Sequence, residues 1–174
     1  QVCHNCFRHQ TNLHRCAQCR FAHYCDRTCQ TACWEEHKQE CAAIRSSGFA
    51  PNENIRLAAR VLWHRRKDQG LASDSQLVAA DLLEDHLDLL PEGELKKVQK
   101  DVYYLLRFWS VTTQQNSTEF LSHILGLIRN NGFPLKDQRG VQDVGLGIFP
   151  SLGLLNHDCW PSCTITFNHG NQSA

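Results

Sequence analysis

Apolar residues recur at helical spacing through the middle of the chain. Between Asn52 and Asp68 they fall at Ile55, Ala58, Ala59, Leu62 and Trp63, the rhythm of a helix that buries one face. Pro51, just before, suits a helix entrance. Gln76 to Leu90 and Pro91 to Trp109 read as two more helices, the second with Pro91 in its first turn and a stripe of Leu95, Val98, Val102, Leu105 and Leu106. For a fourth helix, Asn116 serves as the cap with Glu119 three residues on, Phe120 to Ile128 supply the apolar run, and Asn130-Asn131-Gly132 ends it. Beyond Gly140 the helical rhythm gives way to Val141 to Pro150 and to the β-branched, aromatic Thr164-Ile-Thr-Phe167, which predict short strands and turns. The pattern implies an α+β protein.

Residues 1–48 behave differently, with little apolar periodicity and many Cys and His, and Ser46-Ser47-Gly48 closes them as a plausible boundary. A chain of 174 residues accommodates at most two folding units. The expected division is residues 1–48, a helical segment over 49–140 and a strand-rich end over 141–174. Lys plus Arg and Asp plus Glu both number 18, so no basic surplus points to nucleic acid. With no 18-residue apolar run and no charged-then-apolar leader, the sequence reads as soluble, with no membrane partner.

Eight of the ten cysteines lie in the first 41 residues. Their spacings are those of chelating pairs, which places the chain in a reducing compartment, cytosol or nucleus. The pairs are Cys3-x2-Cys6, Cys16-x2-Cys19, Cys25-x3-Cys29 and His37-x3-Cys41. Two zinc ions need eight such ligands, because thiolate and neutral imidazole bind four to a closed tetrahedral site. A ninth candidate, Cys33, is set aside on geometry. Were Thr31 to Cys41 one helix, Cys33 and Cys41 would stand about 12 Å apart along its axis, whereas ligands of one ion lie within about 4 Å of each other. His37 and Cys41, one turn apart, can converge. His4, His9, His14 and His23 fall outside the paired pattern.

The order of pairs, with Cys-Arg-Phe-Ala-His-Tyr-Cys after the second and Trp34 three residues before His37, resembles a MYND finger. A RING finger is the competing reading, but it usually spaces its last pair as C-x2-C. In MYND fingers the first and third pairs share one zinc and the second and fourth the other. The resemblance therefore implies Cys3, Cys6, Cys25 and Cys29 on one ion and Cys16, Cys19, His37 and Cys41 on the second. It also implies docking of proline-rich peptide partners rather than nucleic acid.

Leu154-Leu-Asn-His-Asp-Cys-Trp-Pro-Ser-Cys163 packs several chemically active residues together. As a third zinc site it offers three ligands at best. As a nucleophile, Cys159 lacks a base, because His157 lies two residues away and in an extended segment points to the opposite face. The residues Asn156-His157-Asp158-Cys159-Trp160-Pro161 instead resemble the Asn-His-x-Cys-x-Pro segment of SET-domain lysine methyltransferases. A finger, a helical insert and this segment, in that order, are similar to the SET-and-MYND family of protein-lysine methyltransferases. Pro51 to Arg60, Asn131-Gly-Phe133, Asp137 to Gly140 and Val144 to Pro150 agree with it. Asp158 and Ser162 depart from the common pattern, which has serine and asparagine there.

The resemblance implies two zinc ions, S-adenosylmethionine as methyl donor, and protein lysines, among them those of histones, as acceptors. It implies cofactor contacts from Asn156 and His157 at the adenine end, Asn131 near the methionine portion and His86 near the adenosine, with Phe133 on the pocket wall. Asn131 also reads as an ordinary helix C-cap and His86 as a surface histidine. No catalytic residue is assigned. The family's glycine-rich cofactor segment and its tyrosine-bearing strand are expected outside this chain, so the piece alone is expected to bind the donor poorly and transfer no methyl group. The functional expectation is a transcriptional regulator in the nucleus and cytoplasm of muscle. The alternative is a zinc adaptor without catalysis that recruits proline-rich partners.

Overall fold

The computed structural model describes residues 1–68, 83–109, 116–137, 140–153, 159, 160 and 162. They form two compact units, one built on Gln1–Ser46 with Pro134–Gly145 and the other chiefly on Ser47–Phe133. Helices are combined with small strand pairs, as expected of an α+β protein.

In the first unit, β1 (His14–Arg15) pairs antiparallel with β2 (His23–Tyr24), His14 opposite Tyr24. Two tight loops, one before this ribbon and one joining its strands, repeat one design. Phe7 and Arg20, each immediately after the second cysteine of a Cys-x2-Cys pair, hold positive φ of 56° and 57°. Their N–H groups donate to the carbonyls of Cys3 (3.0 Å) and Cys16 (2.8 Å). The left-handed backbone is costly for a non-glycine residue, but it closes a loop small enough to bring both cysteines of a pair to one point. Helix α1 (Arg27–Ala32) starts at Asp26, whose carboxylate accepts from Cys29 N at 2.8 Å. Cys33 caps its C-terminus, and α2 (Trp34–Ser47) follows at once. The one helix supposed from Thr31 to Cys41 in the distance argument is thus two helices that meet at Cys33, although Cys33 O still accepts from His37 N at 2.9 Å.

The second unit rests on α3 (Glu53–Asp68), α4 (Glu92–Phe108) and α5 (Thr118–Asn131), each packed on the other two. The interior contains Ile55, Ala58, Ala59 and Leu62 from α3; Val98, Val102, Leu105 and Phe108 from α4; and Leu121, Ile124, Leu125 and Ile128 from α5. Three of the four helices read from periodicity are therefore present, on the faces the pattern indicated. Their ends differ in detail. Asn52 caps α3 through Oδ1, which accepts from Ile55 N at 3.0 Å, and its amide donates to Asp101 of α4 at 3.0 Å. Pro91 is the N-cap of α4 rather than part of its first turn. Ser117, not Asn116, caps α5, its hydroxyl accepting from Phe120 N at 3.2 Å.

The helix expected over Gln76 to Leu90 is corrected where it is described. Leu83–His86 is not helical, and Leu87–Leu89 is a single 3-10 turn entered through His86 at φ 48°. Asp85 explains the change, because its carboxylate accepts from Leu87 N at 3.1 Å and bonds His123 of α5 at 2.5 Å. Gly126 leaves room for this segment. A Cβ there would stand 2.9 Å from both Asp85 Cβ and Leu87 Cδ2.

After α5, β3 (Gly132–Lys136) and β4 (Asp143–Ile148) pair as a two-stranded sheet, and the short α6 (Pro150–Gly153) follows. Gly132 ends α5, as expected, with extended backbone at φ −77°. It is glycine for want of space, since a Cβ would sit 2.4 Å from Ile128 O. The buried Asp137 shapes the loop between the strands, accepting from Val141 N at 2.9 Å. The predicted strand at Thr164 to Phe167 lies outside the described residues.

Candidate metal centre

Two sets of four side chains converge in the first unit. Cys3, Cys6, Cys25 and Cys29 form one and Cys16, Cys19, His37 and Cys41 the other, with the donor atoms of each set within 4.8 Å of one another. The two tight loops present the first pair of each set. Of the remaining donors, Cys25 follows directly on β2 and Cys29 lies in α1 in the first set, and His37 and Cys41 lie in α2 in the second. Because α2 turns once between His37 and Cys41, both face the same point.

Donor chemistry and spacing fit zinc. With Zn–S bonds of about 2.3 Å and Zn–N bonds of about 2.0 Å, the edges of a tetrahedron are roughly 3.8 Å between sulfurs and 3.5 Å between sulfur and nitrogen. Cys16 and Cys41 Sγ are 3.8 Å apart, Cys6 and Cys25 Sγ 3.5 Å, and Cys19 Sγ lies 3.5 Å from His37 Nε2. Among the described residues no third set of this kind is present. Cys33 belongs to neither set, and its thiol donates to His4 O at 3.8 Å.

The thiols demand a counter-charge. Burial pushes Cys3 upward, but the backbone N–H groups of Cys6, Asn5 and Cys25 outweigh it and bring the thiol down to about 7. Burial acts the same way on Cys16, where the N–H of Cys19, the His37 side chain and the N–H of Gln18 prevail, again giving about 7. Their neighbours move the other way. Burial and the Cys3 sulfur push Cys29 up to about 11; burial, Cys19 and Cys16 push Cys41 up to about 12; and Cys25 rises through burial and its contacts with Cys6 and Cys3. Like charges this close resist ionising together. A divalent cation held by each set would supply the charge that removes that conflict and would let every sulfur be a thiolate.

His37 is held on three sides. Its ring meets Tyr24 and Trp34 edge-on, with centroids 6.0 and 6.2 Å away. Its Nδ1 lies 3.5 Å from Glu40 Oε2, with both side chains only 1% exposed. Burial disfavours the charged ring, but Glu40 and the Cys16 sulfur overcome this and raise its pKa. The buried Glu40 carboxylate was missed in the sequence. The signal available was its position three residues after a ligand histidine and one before a ligand cysteine.

The other candidate residues lie elsewhere. His86 is 48% exposed, with Nδ1 3.4 Å from Glu84 Oε2. Asn131 donates its amide to Glu84 O (3.1 Å) and Leu127 O (3.0 Å), which ties the end of α5 to the same non-helical segment that carries His86. Phe133 meets Phe149 edge-on at 6.3 Å. Cys159 and Trp160 are exposed. Asn156, His157, Asp158 and Cys163 lie outside the described residues.

Comparison with known proteins agrees with this geometry. The MYND finger family matches residues 3–41, a span that runs from the first ligand to the last. Histone-lysine N-methyltransferase Smyd1 of Mus musculus is 54% identical over 173 residues, 99% of this chain and 35% of the relative. Its Homo sapiens counterpart is 53% identical over the same shares. N-lysine methyltransferase SMYD2 of Gallus gallus is 32% identical over 95% of this chain and 38% of its own. The chain thus spans about a third of the length of the curated relatives it matches.

Proposed function

We propose that this chain belongs to the SET-and-MYND family and that the protein containing it methylates lysine side chains of other proteins, histones among them, with S-adenosylmethionine as donor. The observation that carries this reading is identity of 53–54% over 99% of the chain to relatives named histone-lysine N-methyltransferase. The donor supplies an electrophilic methyl group, which a neutral lysine amine takes by in-line displacement, a reaction governed by positioning and exclusion of water.

This chain's part is to hold the donor. Both amide protons of Asn131 are committed to Glu84 O and Leu127 O, so its Oδ1 is the atom that accepts a hydrogen bond from the ammonium of the methionine portion. His86, on an exposed left-handed turn, meets the adenosine. Asn156 and His157 contact the adenine end, and Phe133 lines the wall. No residue of this chain is assigned a catalytic role. The finger recruits proline-rich protein partners, for which the exposed Trp34 beside His37 offers an aromatic face. The protein acts on transcription, in the nucleus and cytoplasm of muscle cells.

The test uses the protein extended to the length of its relatives and a labelled methyl donor. Label should appear on lysines of histone or muscle protein, and Asn156→Ala or His157→Ala should weaken donor binding about tenfold, the loss of roughly 1.4 kcal/mol expected for one hydrogen bond to a ligand. No label on any lysine, with proline-rich peptide still bound, would replace the enzyme with the adaptor.

A further inference from the structure

The Glu40 carboxylate lies within the first unit, 1% exposed, and faces the ligand His37 on the side away from the sulfurs. Burying a carboxylate is expensive unless it is paired, and one group it faces, at 3.5 Å, is the ring nitrogen His37 does not turn toward Cys19. We propose that Glu40 is the positioning residue of the Cys16, Cys19, His37 and Cys41 centre, fixing the imidazole with its proton on Nδ1 and its lone pair on Nε2, directed at the metal.

Three observations support this. Nε2 lies 3.5 Å from Cys19 Sγ, a tetrahedral edge, while Nδ1 lies 3.5 Å from Glu40 Oε2, so the ring's two nitrogens already have separate tasks. His37, Glu40 and Cys41 occupy one buried face of α2, so the helix that supplies two ligands also supplies the orienting group. The two centres also differ in donor charge. The first has four thiolates and the second only three, and a carboxylate on the far nitrogen makes a neutral imidazole more basic toward the ion, in partial replacement of the missing thiolate. The first set needs no such group because a thiolate has no ring to orient. The inference does not depend on methyl transfer.

The test is competition between the zinc-loaded chain and a chromophoric chelator, with cobalt substitution to distinguish the centres by their visible spectra. Glu40→Gln and Glu40→Leu should weaken one of the two metals by about 10- to 100-fold, the range for such supporting groups. Leucine should have the larger effect, and the other metal should stay within twofold. The cobalt bands of the three-sulfur, one-nitrogen centre should shift while those of the four-sulfur centre stay fixed. In a His37→Cys background, with no ring left to orient, Glu40→Gln should have no effect. Unchanged affinities, equal loosening of both metals, or an undiminished effect in the His37→Cys background would each overturn the proposal. The unmutated chain gives a check that needs no variant. In the nitrogen-15 imidazole spectrum of the zinc-loaded protein, a His37 proton on Nε2 rather than Nδ1 would also overturn it.

Discussion

The buried cluster of the finger consists of Cys3, Cys16, Cys33 and Cys41 with only Ala22 and Tyr24 among them, and Leu13 with four more cysteines at its margin. The three-helix unit instead buries Ile, Leu, Val and Phe from three helix faces. In the first, the atoms that fill the interior are mostly the metal donors themselves; in the second, they are hydrocarbon and need no ion. Two adjoining stretches of one chain therefore meet the entropy of folding by different means. About 10–16 kcal/mol of apparent binding energy per structural zinc substitutes in the finger for the apolar area that stabilises the helices.

The largest separation between the units should come from removing metal. A strong chelator should abolish the chemical-shift dispersion of residues 3–41 while leaving the resonances of α3, α4 and α5 in place; simultaneous loss of both would mean that the helices lean on the finger. Within the finger, Cys41→Ser should lower bound zinc from two ions to about one, whereas Cys33→Ser should leave it at two, as measured by elemental analysis. The converse change is Leu105→Ala, a cavity in the helical interior. It should cost about 2–5 kcal/mol in denaturant unfolding of the helices with zinc content unaltered. A smaller effect distinguishes two neighbours in sequence. Ser117→Ala should cost about 1 kcal/mol as a lost cap, more than Asn116→Ala.

The finest test is acid. Burial raises Asp85, but the hydrogen bond from His123, the N–H of Leu87 and the nearby histidine charge outweigh it, so its carboxyl sits below the usual range near about 4. A lowered folded pKa contributes stability that is present above the unfolded value and lost as pH falls through the folded one. Metal-stripped protein should therefore lose helical stability on the acid side of pH ~4, and Asp85→Asn should flatten that dependence in thermal melts.

Much of this was legible locally. The four chelating pairs stand out because each spacing is a property of four or five consecutive residues, and α3, α4 and α5 stand out because each repeats its apolar positions every three to four residues. Leu83 to Leu90 misled because its Leu83, Leu87 and Leu90 keep helical spacing, and nothing local reports that Asp85 is drawn to His123 or that Gly126 clears the space. Asn116 and Ser117 are both good caps, and which one serves depends on where α5 begins relative to its neighbours.

By itself the sequence determined that the first 41 residues bind metal, that eight particular side chains are the ligands to consider, and that three amphipathic helices follow. Its resemblance to a family suggested which pairs share an ion. Tertiary structure alone decided what stands behind the ligands: the pairs interleave only because β2, α1 and α2 return to the two tight loops, and Glu40 becomes an orienting group only because α2 buries it. The reason is physical. A ligand's chemistry belongs to its own side chain, whereas the orientation and charge of that ligand are set by groups that only folding brings within 4 Å.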